Sequence, residues 1–281
     1  MLTVLKRTPE HAWLNEVSCV PVQQSLRHLQ TAFVNFFEKR TGYPSFKRKD
    51  GKQSAEYTRS AFTFVASDQA LSLSGLGKLK VRWSRFFKSD PTTVTVTKDC
   101  AERYFVTLVL DETPVRREPT GENIGIDLGI TRIATLSNGE KIENPKHLKR
   151  VEVLFLRCQR QLARKKKGSA RRADAKLRLA KLHARVVDTR KDFLDKLTTT
   201  IIERYDVICI EDLNVRGLAK TKLAKSVLDA GWGMFRSMLT YKADRADTHL
   251  IVIGRFFPSS KTCGACGLVN ADLTLSDREW V

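Results

Sequence analysis

The chain has 281 residues, with 50 Lys and Arg against 31 Asp and Glu, a formal net charge of +19 and a pI near 9.9. At 42% hydrophobic it can fill a real core, and its length suits roughly two domains. No run of about 18 apolar residues occurs, which argues against a membrane span, and Met1 opens into Leu-Thr-Val-Leu-Lys-Arg-Thr-Pro, without a signal peptide's apolar region. Six scattered cysteines suit a reducing cytoplasm better than a disulfide framework. Charge excess of this size is relieved by a polyanion; without a lipidation motif, nucleic acid is favoured over an acidic membrane surface, and a cytoplasmic, nucleoid-associated protein is expected.

Residues 1–58 are expected to form a helical segment. Thr8-Pro9-Glu10 is a helix start, and a second helix is expected from about Val20 to Arg40, with Leu26, Leu29, Phe33 and Phe36 or Phe37 at helical spacing as core. Residues 41–59 read as a loop in which Tyr43, Pro44 and Phe46 interleave with Lys47, Arg48 and Lys49. Such a mixture clamps a nucleic-acid backbone or is a solvated linker. Residues 59–120 carry five short strand signals, Ala61–Ala66, Ala70–Ser74, Lys78–Trp83, Thr92–Thr97 and Arg103–Leu110, and predict a small β-barrel.

From residue 121 to 281 an α/β domain is expected. Asn123 to Ile130 is a buried strand in which Ile124, Ile126, Leu128 and Ile130 share one face, and Gly125, Asp127 and Gly129 the other. A lone carboxylate between glycines needs a cation or a partner, and the glycines leave room for a metal or an approaching backbone. Thr131–Leu136, the Ser137-Asn138-Gly139-Glu140 turn and Lys141-Ile142-Glu143 complete a three-strand meander. Residues 146–204 then predict a helical hairpin broken at Gly168-Ser169, seamed by Leu148, Val151, Phe155, Cys158 and Leu162 on the first helix. This stretch holds 19 Lys and Arg against 6 Asp and Glu. Arg164, Lys165, Lys166, Lys167, Arg171 and Arg172 form a single-sign knot, read as a phosphate-tracking surface.

Asp206 to Glu211 is a second apolar strand, with Val207, Cys209 and Glu211 on one face and Asp212 pointing the other way. Two strands that each deliver one acid at sheet level suggest a divalent-metal site of the kind phosphodiester chemistry uses. A loop follows, then a helix with Ser226 and Asp229 in capping-box spacing, then a strand from His249 to Gly254. Three antiparallel strands followed by parallel ones through helical crossovers is the order of the ribonuclease-H-like fold. Residues 256–281 contain Cys263-Gly264-Ala265-Cys266-Gly267, half of a zinc ribbon, with a redox pair as the rival on spacing alone; Lys261 beside it is a further candidate nucleic-acid contact.

Gly-Ile-Asp-Leu-Gly at 125–129, Ile-Glu-Asp-Leu-Asn at 210–214, Leu-Asp-Ala-Gly-Trp-Gly at 228–233, Phe-Pro-Ser-Ser-Lys-Thr-Cys-Gly-Ala-Cys-Gly at 257–267 and Leu-Thr-Leu-Ser-Asp-Arg-Glu-Trp at 273–280 resemble the TnpB (OrfB) proteins of bacterial insertion sequences. The resemblance runs over nearly the whole chain. It implies a transposon-encoded, RNA-guided DNA endonuclease related to CRISPR effectors with a single RuvC nuclease domain. It further implies a wedge-like barrel, guide RNA and DNA as partners, and Mg²⁺ at the RuvC-like centre. By resemblance Asp127 is the first catalytic carboxylate, Glu211 the second, and Cys263 and Cys266 the first zinc pair. The family's second Cys pair and third carboxylate would follow Val281, and its first barrel strand would precede Met1. The chain is therefore expected to be truncated at both ends, with a weakened Mg²⁺ site, half a Zn²⁺ site and crippled cleavage. A binding protein acting by occupancy, as a repressor does, and a DNA-strand transferase are the alternatives.

Overall fold

A computed structural model describes residues 2–49, 51–113, 117–255, 257–258, 261–263 and 266–273. The chain divides into two compact units, Met1–Thr113 with Arg157–Ala184, and Pro114–Leu156 with Arg185–Val281.

The first unit opens with α1 (Leu2–Leu5), a 3₁₀ helix over Pro9–Asn15 and α2 (Cys19–Phe37). Pro9 takes the first turn of the 3₁₀ helix, where its missing N–H costs nothing. The apolar face of α2 is not core: Leu26, Leu29 and Phe37 are exposed, Phe37 to 74%. Its aromatics pack instead on one another and on Tyr43, whose ring lies 5.7 Å from Phe33 and 5.2 Å from Phe36, edge-on to both.

Six strands follow: β1 (Gln53–Thr58), β2 (Phe62–Val65), β3 (Ala70–Leu73), β4 (Gly77–Leu79), β5 (Thr93–Lys98) and β6 (Tyr104–Val109). They make two antiparallel three-stranded sheets, ordered β1-β5-β6 and β2-β3-β4, over one core built from Tyr57, Ala61, Leu71, Leu73 and Val94. The expected wedge barrel is absent: among the described residues no sheet closes on itself. The run Lys78–Trp83 looks like one strand but pairs only as far as Leu79. Beyond it the chain leaves the ladder, and the Trp83 indole N–H donates to the Gln69 carbonyl at 2.7 Å while its ring packs on Phe64 and Phe87. Core packing thus holds that segment without the edge pairing that closure needs. Conversely, β1 lies where a loop was expected. Gln53 and Glu56 are poor strand formers, and pairing with β5 overrides them by burying Tyr57.

The second unit is the expected mixed ribonuclease-H-like sheet. Its strands are β7 (Asn123–Leu128), β8 (Arg132–Leu136), β9 (Lys141–Glu143), β10 (Val207–Glu211) and β11 (His249–Ile253), in the order β11-β10-β7-β8-β9. β7, β8 and β9 are antiparallel; β10 lies parallel to both β7 and β11. Between β9 and β10 run α3 (His147–Ala163) and α4 (Ala170–Arg204); between β10 and β11 come α5 (Val215–Leu218), α6 (Ala224–Ala230) and α7 (Trp232–Ala246). One sheet face is the core. Ile124, Ile126, Leu136, Ile208 and Ile210 pack with Leu194, Ile201 and Ile202 of α4 and Phe235, Met238 and Leu239 of α7. Burying a side chain such as Phe235 contributes about 1.5–3 kcal/mol.

The break between α3 and α4 falls at Gly168-Ser169, as the pattern predicts. Gly168 adopts φ +82°, and the Ser169 hydroxyl accepts from the Arg172 N–H at 3.2 Å. The seam residues Leu148, Val151, Phe155, Cys158 and Leu162 are all half-buried on α3, and none is fully buried. The Ser226–Asp229 capping box does not form. Ser226 lies inside α6, whose first flanking residue is Leu223, and Asp229 is buried and used elsewhere.

Candidate functional site

The two acids come together through strand register. Cys209 pairs with Gly125 and Ile210 with Ile126, so Glu211, at the exit of β10, falls beside Asp127 on β7. Paired positions in adjacent strands face the same side, and that side is opposite the core. Asp127 is exposed rather than buried, so it stands on an open sheet face. Partial desolvation by the surrounding chain, and then the charge of Glu211, hold its carboxyl above the usual range. A carboxyl held above its usual range by desolvation and a neighbouring acid is a candidate functional group. Two carboxylates are oxygen donors, the chemistry that Mg²⁺ selects. Gly129 serves the β7–β8 turn rather than the site, because a Cβ there would lie 2.8 Å from the Arg132 carbonyl oxygen.

Asp212 is engaged elsewhere. Its carboxylate accepts from Arg236 Nη1 and, at 2.8 Å, from Arg255 Nη2, while Arg255 Nε donates to its carbonyl at 3.2 Å. The hydrogen bond from Arg236 is the largest of the effects that hold this carboxyl below the usual range. At the other end of β10, Asp206 accepts from the Gly121 N–H at 2.6 Å, from Thr120 Oγ1 at 3.2 Å and from Arg117, and its carboxyl is lowered first by backbone hydrogen bonding at Thr120. Both ends of the strand that carries Glu211 are thereby pinned by ion pairs.

Behind the strand ends sits a buried joint. Asp229 of α6 accepts from the Leu148 N–H at 2.9 and 3.1 Å and the Lys149 N–H at 3.3 Å, capping α3 from outside, and pairs with Arg190 of α4 at 2.9 Å. Val227, Ala230 and Trp232 form a small core against Leu128, Ile130, Leu213 and Val215, the segments that follow each acid. Sequence reasoning missed Asp229, Arg190, Arg236 and Arg255. Asp229 matched a local capping pattern that masked its long-range role, and Arg190 was counted among surface cations.

The other candidates are dispersed. Lys47, Arg48 and Lys49 are exposed beside a fully exposed Phe46, in a segment without regular structure. Arg164, Lys165, Lys166, Lys167 and Arg171 are exposed; Arg172 is half-buried and donates to the Leu162 and Lys165 carbonyls at 2.8 and 2.9 Å, capping the end of α3. Lys261 Nζ donates to the Ala271 carbonyl at 2.9 Å. Beside Cys263 and Cys266, the Gly267 N–H donates to the Cys263 carbonyl at 2.9 Å and Thr262 forms a bridge with Val269. Gly264 and Ala265 of the knuckle, and 274–280 of the Leu-Thr-Leu-Ser-Asp-Arg-Glu-Trp stretch, lie outside the described residues. Among the described residues no group of three or more His, Cys, Asp or Glu side chains gathers to hold a metal. No helix among them is long and apolar enough to cross a membrane.

Comparison with known proteins gives a consistent picture. A family model described as a probable transposase, of the OrfB type, matches residues 105–222, and one described as a Cas12f1-like TNB domain matches residues 232–281. A Streptomyces pristinaespiralis protein named "Putative RNA-guided DNA endonuclease" is 50% identical over 99% of this chain and 70% of its own length. The Escherichia coli relative named "Putative RNA-guided DNA endonuclease InsQ" is 30% identical over 98% of this chain and 72% of its own. In fold, the chain resembles one in a cryo-EM structure titled as a Cas12f1–sgRNA–target DNA complex, with a TM-score of 0.55 at 12% identity; the match covers 87% of this chain and 63% of that one. The chain belongs to the TnpB (OrfB) family of transposon-encoded, RuvC-like RNA-guided nucleases.

Proposed function

We propose that the chain acts in RNA-guided, metal-dependent hydrolysis of DNA, with Asp127 and Glu211 as two ligands of one magnesium ion. The observation that carries this reading is the register that sets the two acids side by side on the open face of β7 and β10. A bound divalent ion supplies an activated water and stabilises the leaving oxygen. The residues' own part is to fix that ion against the sheet, with Asp212 and its two arginines holding the strand exit. Guide RNA and target DNA are the partners, as the names of the relatives suggest. The exposed cations at Lys47–Lys49 and Arg164–Arg171 are the groups that meet their phosphates.

Two carboxylates give a weak site. Since no third acidic, His or Cys group joins them among the described residues, magnesium is held loosely and cutting by this chain is slow relative to binding. That same observation favours occupancy of a target as a second reading. Cys263 and Cys266 offer half a zinc site, and no step is assigned to zinc. The test combines purified chain, guide RNA from the parent transposon, matching DNA and Mg²⁺. Footprinting without rapid cutting is expected. Robust cutting abolished by Asp127→Ala would refute the weak-site part. Manganese binding, read by electron paramagnetic resonance, that survives both Asp127→Asn and Glu211→Gln would sink the metal assignment.

A further inference from the structure

The row of side chains that holds the two acids continues across the sheet. Asp127 pairs with Thr135 on β8, and Thr135 pairs with Lys141 on β9. Glu211, Asp127, Thr135 and Lys141 therefore face one side, in that order, on four adjacent strands. We propose that Thr135 and Lys141 form a phosphate-binding subsite for a nucleic-acid strand that crosses the sheet over the acidic pair. This rests on the reading of Asp127 and Glu211 as metal ligands.

Three observations support it. First, Lys141 is exposed and, among the described residues, makes no ion pair, although acids flank it. Glu140 pairs with Arg204 at 3.3 Å and Glu143 with Arg132 at 3.5 Å, so the local carboxylates are taken by arginines. Second, the Thr135 side chain is half-buried and its hydroxyl has no hydrogen-bond partner among the described residues, leaving a donor aimed at the open face. Third, spacing separates the roles. Neighbouring strands lie about 4.8 Å apart, which sets the Lys141 backbone about 10 Å from that of Asp127. That spacing sets the cation beside the acidic pair rather than over it. It suits a phosphate next to the one over the metal, reached by a flexible four-carbon stem. A cation there offsets the repulsion between a polyanion and an acidic pair, which otherwise opposes entry of the strand.

The experiment measures manganese affinity by electron paramagnetic resonance, with and without a 20-nucleotide oligothymidylate, for the full chain and for Lys141→Gln, Lys141→Arg and Thr135→Val. Wild type is expected to bind manganese about fivefold or more tightly when the DNA is present. Lys141→Gln keeps the DNA-free affinity, loses that enhancement and lowers the salt slope of DNA binding by about one. Lys141→Arg restores both, and Thr135→Val loses part of the enhancement. If Lys141→Gln shows the full enhancement, or if it weakens manganese binding equally without DNA, the subsite is refuted while the metal reading stands. If wild type binds no manganese, or Asp127→Asn binds it as well, the metal reading itself fails.

Discussion

Glu211 and Asp212 are adjacent carboxylates with opposite surroundings. Alternation along β10 turns Glu211 to the open face beside Asp127, and Asp212 to Arg236 and Arg255. Their electrostatics predict opposite responses. The folded Asp127 carboxyl lies above its ordinary value, so the folded state binds more protons than the unfolded state in that interval, and the residue's contribution to stability falls as pH rises through it. In metal-free buffer at neutral pH, Asp127→Asn should stabilise the fold slightly, by less than about 1 kcal/mol in unfolding free energy once solvent screening of an exposed group is counted. The gain should vanish in acid, and added Mg²⁺ should stabilise wild type only. Asp212 lies below its ordinary value, so its contribution is present above that value and lost as pH falls through the lowered one. Asp212→Asn should lower the melting temperature at neutral pH, with the difference closing in strong acid.

At the scale of elements, the joint around Asp229 ties three helices together. Its carboxylate caps α3, pairs with Arg190 of α4 and belongs to α6. Both side chains are largely buried, at 15% and 7% exposure for Arg190 and Asp229. Removing one partner leaves a buried charge, so Asp229→Ala should cost about 3–5 kcal/mol in urea unfolding. Gly231 beside it adopts φ +76°, and a Cβ there would lie 2.9 Å from Arg190 Cδ and 3.1 Å from Leu194 Cδ1. Gly231→Ala should therefore cost at least about 1–2 kcal/mol from the left-handed backbone alone. Both variants act behind Leu128 and Leu213, so a loss of manganese affinity beyond the loss of folded protein would mean that the joint also aims the acids.

At the scale of the molecule, charge dominates. Most of the net +19 lies in residues 146–204, and Arg164–Lys167 and Arg171 are among its exposed cations. Replacing Lys165, Lys166 and Lys167 together by Gln should flatten the dependence of log affinity for DNA on log salt by up to about three, measured by fluorescence anisotropy. Arg172→Gln should behave differently. It removes the two carbonyl contacts that cap α3, so it should loosen the hairpin tip, read by amide exchange, more than it changes the salt slope.

Much of the second unit was legible from residues alone, because period-two runs of Ile, Val and Leu fix which face of each strand is buried. Asp127 and Glu211 stood out for the same reason: each is the acid on the non-core face of an apolar strand. The β7–β8–β9 meander and the helix break at Gly168-Ser169 were local signals of the same kind. The first unit was less legible. Whether five short strands close into a barrel depends on pairing between distant edges, and only packing decided that the chain leaves the ladder after Leu79, with Trp83 in the core. Asp229, Arg190, Arg236 and Arg255 were hidden because an ion pair between residues tens of positions apart leaves no periodic trace. In the second unit the sequence alone determined which strand residues belong inside and which strand acids face away from the core; the tertiary structure decided which charges meet, because long-range pairing depends on where the helices return to the sheet.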